Sequence, residues 1–213
     1  VKDKLIYFNF EDTDPVRPLY SYDNVTWERF APCEASFRKV SKRFERDTVY
    51  MAYFQPYTYS YLQSRIADWS RHEWVKVDSI GHSLENRPIY MMHITDESVA
   101  PETKQRLWVH ARQHPSESPA SWLTDGFISA LVADTPTGAA LRKQIDAYIT
   151  PQTNPDGVAN GLSRSNITGV NQEINFARPD DSTVVEVKAI KEVIRTLSEE
   201  RPFDVALNVH SQV

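Results

Sequence analysis

The pattern of apolar and polar positions changes along the chain. In the first fifty or so residues, short apolar and aromatic runs such as "KLIYFNF" (4–10) and "DTVYMAYF" (47–54) alternate with polar stretches that contain Pro18 and Pro32. Runs of this length, bounded by turn residues, are typical of short strands. Residues 1–54 are therefore predicted to form a β-rich N-terminal domain.

A different period begins after "QPYTYS" (55–60), which we interpret as the junction with a second domain, residues 55–213. Leu62, Ile66 and Trp69 follow at the spacing of a helix. The runs "EWVKVDSI" and "RPIYMMHIT" are then predicted to form a hairpin with a longer loop.

From residue 106 onward, strands and helices are predicted to alternate. Strand candidates are "RLWVHAR", "IDAYITP" and "FDVALNVH". Between the first two, Ser118 is suited to a helix N-cap and Pro119 to the first helical position, with the helix ending near Val132. A polar loop from residue 152 to about 182 precedes a second helix, whose apolar face carries Val184, Val187, Lys191, Ile194 and Leu197. This order predicts an α/β fold with helices covering a sheet.

Composition limits the classes of partner. The 213 residues include 24 Lys and Arg against 29 Asp and Glu, and the net charge is −5. With no basic run, nucleic acid is not an expected partner, and no apolar stretch is long enough to predict a membrane span. Cys33 is the single cysteine, so no disulfide can form within the chain, and a cytoplasmic location is favoured. The sequence leaves the oligomeric state open. Since it starts at Val1 and stops directly after a strand, we expect an incomplete part of a longer protein.

Three polar residues stand where a metal site is expected. His114 and Glu117 follow one predicted strand, and His210 ends another. In open α/β sheets, ligands bind at the carboxyl ends of the strands. If these two strands are neighbours, two imidazoles and one carboxylate converge, and this is the ligand set of a catalytic zinc site with an open fourth position.

A plain surface turn is the alternative interpretation of "HPSE" (114–117), since His-x-x-Glu is common by chance. The preceding strand, the following helix and the distant strand-terminal histidine favour the metal site. His72 and His82 lie in polar settings, whereas His93 and His110 lie within strands and are predicted to be structural. No Gly-x-Ser-x-Gly motif indicates a serine hydrolase.

The sequence resembles the zinc metallocarboxypeptidases and, among them, the cytosolic carboxypeptidase subfamily. The stretches that carry the likeness are "DTVYMAYFQPYTYSYLQ", "SIGHSLENRPIYMMHIT", "ARQHPSESPASW", "ITPQTNPDGVANG" and "NVHS". The resemblance implies a small N-terminal β-sandwich followed by a mixed-sheet α/β catalytic domain. It also implies one Zn²⁺ per chain, and a peptide or protein substrate cleaved at a peptide or isopeptide bond.

Site residues follow from the resemblance by position. His114, Glu117 and His210 match the zinc ligands. Arg164 matches the arginine that polarises the scissile carbonyl and stabilises the oxyanion. Arg112 matches a substrate-side arginine.

One stretch departs from the family pattern. The family has Gly-x-Asp-Leu-Asn-Arg, whose Asn-Arg pair binds the substrate's terminal carboxylate, but here Glu173 and Ile174 stand at those two positions. Binding a carboxylate beside Glu173 without a cation is expected to be costly. Either Arg178 replaces the lost guanidinium, or the protein is a zinc amidase or deacylase for substrates without a free C-terminal carboxylate.

Activity of this segment alone is not expected. The family's glutamate base and pocket tyrosine lie downstream of the last zinc histidine, and only three residues follow His210. Loss of a general base typically costs at least about 100-fold in rate. The leading hypothesis is a zinc metallopeptidase whose isolated 213-residue segment is inactive. A third hypothesis is a catalytically inactive binding module.

Overall fold

The computed structural model of the protein describes residues 1–11 and 17–211. The chain divides between Pro56 and Tyr57 into two compact units. The first unit contains two three-stranded antiparallel sheets, ordered β1-β5-β4 and β3-β2-β6. Their strands are β1 Leu5–Asn9, β2 Leu19–Ser21, β3 Glu28–Arg29, β4 Ala35–Ser36, β5 Lys39–Arg43 and β6 Tyr50–Ala52.

An aromatic cluster forms the core of this unit. Tyr20, Phe30, Val40 and Phe44 are buried, with residues from both sheets in one cluster. The Phe30 and Phe44 rings meet edge to face, with centroids 6.3 Å apart, an arrangement that aromatic pairs favour. Both sheets bury one side in this cluster, which confirms the β-rich prediction.

The second unit is built on a five-stranded mixed sheet of order β11-β9-β10-β8-β7. Strands β11, β9 and β10 are parallel, whereas β8 runs antiparallel to both β10 and β7. The sheet strands are β7 Val75–His82, β8 Pro88–Ile94, β9 Gln105–Ala111, β10 Ile145–Thr150 and β11 Val205–Val209. The helices are α1 Tyr59–Trp69, α2 Ser118–Val132, α3 Pro136–Gln144, α4 Pro155–Ala159, α5 Gln172–Asn175 and α6 Val185–Glu200.

Alternation along β9 explains why helices cover both faces of this sheet. Val109 packs into the cluster that contains the buried residues of α1 and α2. Its neighbour Trp108 points to the opposite face and packs with Ile190 of α6. Because successive strand residues face opposite sides, an apolar run such as "LWV" needs a helix layer on each side. The predicted mixed α/β fold is confirmed.

Most predicted elements of this unit are present, and three details are corrected. Ser118 is the first residue of α2 rather than its N-cap, because Glu117 keeps a non-helical backbone (φ −79°, ψ 59°) and takes the cap position. Helix α3 was not predicted, although Thr135 caps it by accepting a hydrogen bond from the Gly138 amide. The polar loop 152–182 contains the short helices α4 and α5.

The helices of the described residues lack the length or the apolarity that a membrane span requires. Over residues 1–11 and 17–211, every helix is too short or too polar to span a bilayer.

Candidate metal centre and active site

The sheet order brings the three predicted ligands to one edge. Strands β9 and β11 are parallel neighbours, and Ala111 pairs with Val209 at their carboxyl ends. The turn that holds His114 and Glu117 begins directly after Ala111, and His210 directly follows Val209. The sequence condition for a metal site, that these strands be neighbours, is therefore met.

The three side chains form a tight cluster. The Glu117 Oε1 atom lies 2.8 Å from His114 Nδ1, and its Oε2 atom lies 3.0 Å from His210 Nδ1. One potential ligand atom from each residue falls within 4.8 Å of the other two. His114 and Glu117 are buried, whereas the His210 side chain is 29% exposed, so the cluster opens to solvent on one side.

Hydrogen bonding around His114 selects the ring nitrogen that faces the cluster. The His114 Nε2 atom lies 3.1 Å from the side-chain oxygen of Asn171. An amide oxygen only accepts, so Nε2 donates its proton to Asn171, and Nδ1 is the nitrogen available to a metal. Sequence reasoning missed Asn171, although it stands at the aspartate position of the family's Gly-x-Asp stretch.

The donor set fits zinc. Two imidazole nitrogens and one carboxylate converge from a buried turn and a strand end, with one side open, as in catalytic zinc sites. Glu117 also occupies the N-cap position of the 15-residue helix α2, without a side-chain capping hydrogen bond. The backbone amide of Ser211 donates to Glu117 Oε2 at 3.1 Å and fixes the carboxylate further.

Arg112 supports the ligand-bearing turn from inside. It adopts a left-handed backbone (φ 60°) and is 4% exposed. Its guanidinium donates to the carbonyls of Pro115 and Tyr57 and to the Ser121 hydroxyl, at 2.8, 3.3 and 2.7 Å. Burial lowers the pKa of Arg112 to about 10. These contacts favour a positioning role, and direct contact of Arg112 with substrate stays a prediction.

The "NPDG" segment packs against the same turn. The Asn154 side chain caps α4 by accepting from the Gly157 amide at 3.0 Å, and donates to the Gln113 carbonyl at 3.1 Å. A Cβ on Gly157 would lie 2.4 Å from Pro115 Cγ, so a glycine is needed where α4 approaches the turn. The motif thus shapes the backbone that presents His114.

Arg164 and Glu173 form an ion pair beside the cluster. The Arg164 guanidinium lies 2.7 Å from Glu173 Oε2, and that same oxygen is 3.5 Å from His114 Nε2. Both side chains are partly exposed, at 60% and 47%. The predicted carbonyl-polarising cation is therefore paired with the carboxylate that departs from the family pattern, and Ile174 next to it is largely exposed.

Arg178 lies on the exposed segment after α5. Its backbone carbonyl accepts from Lys191 Nζ at 2.8 Å. Among the described residues, no hydrogen bond or ion pair joins its guanidinium to the three predicted ligands or to Glu173. That Arg178 takes over the role of the family's carboxylate-binding arginine stays a prediction.

His110 has the structural role that its strand position indicates. Its Nδ1 accepts a hydrogen bond from the Trp108 indole at 2.9 Å. Burial, together with the nearby His210, lowers the pKa of His110 to about 4. His93, the other strand histidine, lies 2.6 Å from the Asp146 carboxylate and is also structural.

We expect His110 to make the metal-free protein sensitive to acid. The folded state keeps this ring neutral down to about pH 4, while the unfolded chain binds a proton near pH 6.5. Stability is therefore expected to fall as pH drops from 6.5 to 4, by up to about 3 kcal/mol. Urea unfolding with a chelator present, at pH 7, 6, 5 and 4, tests this against His110→Asn, whose amide can still accept from Trp108. Parallel pH profiles for the two proteins would contradict it.

Comparison with known proteins agrees with this architecture. An α/β fold with a two-histidine, one-carboxylate cluster at the carboxyl ends of its strands is the arrangement found in α/β metallohydrolases. The family model for zinc carboxypeptidases matches residues 58–213, and the chain belongs to that family. Family membership supports a zinc metallopeptidase and does not favour the amidase or deacylase alternative.

Individual relatives cover most of this chain. It is 27% identical to Cytosolic carboxypeptidase 2 of Mus musculus over 96% of its length, and 32% identical to Cytosolic carboxypeptidase 2 of Xenopus tropicalis over 82%. The solved metallo-carboxypeptidase from Burkholderia cenocepacia is 25% identical, with a TM-score of 0.83 over 99% of this chain. The chain spans 23% and 17% of the two cytosolic enzymes and 58% of the bacterial structure.

Proposed function

We propose that this chain carries the metal centre of a zinc metallopeptidase that cleaves a peptide or isopeptide bond near the C-terminus of a peptide or protein. The observation that carries the proposal is the convergence of His114 Nδ1, His210 Nδ1 and the Glu117 carboxylate at the carboxyl ends of β9 and β11. One zinc ion per chain, held by these three residues, would supply Lewis-acid polarisation and activation of water.

The surrounding residues have separate tasks in this proposal. The Asn171 side-chain oxygen accepts a hydrogen bond from His114 Nε2–H and so keeps Nδ1 directed at the cluster. Arg164, whose side chain is 60% exposed, reaches the substrate carbonyl and stabilises the negative charge that develops on its oxygen. The buried Arg112 and Gly157 hold the ligand-bearing turn in shape. The cytosolic carboxypeptidases among the relatives support a cytoplasmic location.

Hydrolysis is best assayed with a general base present. The 213-residue polypeptide by itself is expected to show no zinc-dependent turnover, because the family's glutamate base follows the last zinc histidine. A chimera in which the corresponding C-terminal segment of the Burkholderia cenocepacia enzyme follows His210 supplies that base. We expect zinc-dependent release of C-terminal residues from blocked peptides by the chimera, and none after chelation. Turnover that survives chelation, or zinc-dependent turnover by the 213-residue polypeptide alone, would contradict this account.

Arg164→Ala tests the assigned carbonyl-polarising role in that chimera. Loss of one oxyanion-stabilising group is expected to lower kcat by about 100-fold, with a smaller change in KM. Arg71→Ala is a matched control, since Arg71 is exposed and pairs with Asp68 on the helix α1 side of the unit. Equal kcat values for the Arg164→Ala and Arg71→Ala chimeras would remove Arg164 from the mechanism.

A further inference from the structure

The charge next to the candidate metal centre is balanced within the protein. Arg164 and Glu173 form a 2.7 Å ion pair, and both side chains are open to solvent on one side. The Glu173 Oε2 atom also lies 3.5 Å from His114 Nε2. The pair therefore contacts one of the candidate metal ligands, on the ring edge opposite the Nδ1 atom that faces the cluster.

The pair alters what the site can bind. At the two positions where the resemblance implies an Asn-Arg pair, this chain has a carboxylate and the exposed apolar side chain of Ile174. A substrate carboxylate approaching Arg164 must compete with Glu173, and Arg164 and Glu173 together carry no net charge. An acidic C-terminal residue would bring further negative charge towards Glu173, which electrostatics disfavours.

We propose that Glu173 is a specificity-determining residue that selects substrates whose C-terminal residue carries a cationic side chain, such as lysine or arginine. This inference rests on the proposed peptidase function and names its substrate class. The cationic side chain pairs with Glu173 in place of Arg164, and Arg164 is released towards the scissile carbonyl. Glu173 exchanges its Arg164 partner for the substrate cation, so its carboxylate stays paired. The freed Arg164 guanidinium gains the scissile carbonyl as a hydrogen-bond partner.

Binding of the amino-acid products tests this without requiring turnover. Norleucine has the four-carbon side chain of lysine without the terminal ammonium, and glutamate carries a carboxylate in its place on a shorter side chain. Titrations of the zinc-loaded 213-residue polypeptide, followed by NMR, give a dissociation constant for each. We expect lysine to bind roughly fivefold more tightly than norleucine, as for one partly exposed ion pair, and glutamate to bind most weakly.

Three substitutions distinguish a change in side-chain specificity from a general loss of structure or metal binding. Glu173→Gln is expected to remove the preference for lysine over norleucine, whereas Glu199→Gln, an exposed glutamate at the end of α6, is expected to keep it. Ile174→Arg adds a cation without removing Glu173, and is expected to tighten norleucine binding through its carboxylate. Zinc content is measured in each variant, so a change in metal binding is detected separately.

The outcomes separate this inference from the proposed function. Equal affinity for lysine and norleucine in the zinc-loaded protein, or a lysine preference that persists in Glu173→Gln, would overturn the role of Glu173 alone. Failure to bind zinc would overturn the metal centre on which both depend. In the active chimera, a higher kcat/KM for peptides ending in lysine than for those ending in norleucine is the corresponding expected result.

Discussion

Replacing His114 by alanine is expected to abolish zinc binding. The substitution removes one of three ligands, leaves the Asn171 side-chain oxygen without its donor, and opens a cavity in a turn where His114 is 2% exposed. Loss of a residue that only orients a ligand already costs 10–100-fold in metal affinity, so loss of the ligand should cost at least about 100-fold. Metal content after dialysis, measured by mass spectrometry, should fall from about one zinc per chain to a trace.

His82→Ala is the matched control for that experiment. His82 is an exposed histidine at the end of β7, and it belongs to no candidate metal cluster among the described residues. This variant should retain about one zinc per chain. Full zinc content in His114→Ala, or equal losses in both variants, would show that the bound metal does not depend on His114.

The largest expected effect on stability comes from Asp156→Ala. Asp156 is fully buried and accepts from the Ser83 hydroxyl at 2.6 Å, the Glu85 amide at 2.9 Å and the Arg87 guanidinium at 2.7 Å. It therefore ties the β7–β8 hairpin loop to α4. Removing the carboxylate leaves the Ser83 hydroxyl and the Glu85 amide without an acceptor, while Arg87 keeps its ion pair with Glu85. The free energy of unfolding should therefore fall by about 2–4 kcal/mol.

Urea unfolding in the presence of a chelator isolates this effect from metal binding. Asp181→Ala provides the control, because Asp181 is exposed and accepts no hydrogen bond from a described side chain. Its unfolding free energy should stay within about 0.5 kcal/mol of the parent. A loss below 1 kcal/mol in Asp156→Ala would mean that the hairpin loop is held by other contacts.

Sequence reasoning could single out the three candidate ligands because their signal lies at strand ends. His210 directly follows strand β11, whereas His114 and Glu117 lie on the turn that begins after strand β9. Parallel strands present their carboxyl ends at one edge of the sheet. The hairpin, β9, β10, β11, α1, α2 and α6 follow from apolar periodicity in the same way. These features depend on neighbours in the chain and on one rule of sheet topology.

Contacts between distant segments could not be predicted in this way. The pairing of Arg164 with Glu173 and the bond from His114 to Asn171 depend on how the loop 152–184 folds over the turn. The burial of Arg112 depends on a left-handed backbone that no neighbouring residue signals. In each case the sequence supplied the residue type, and the three-dimensional packing selected its partner.

The central claim, that His114, Glu117 and His210 form a zinc centre, is tested most directly by anomalous diffraction at the zinc edge from crystals of the zinc-loaded protein. We predict a single strong peak at bonding distance, about 2.0–2.2 Å, from the Nδ1 atoms of both histidines and from a Glu117 oxygen. A zinc peak bound by other residues, or no peak at this cluster in zinc-loaded crystals, would contradict the account.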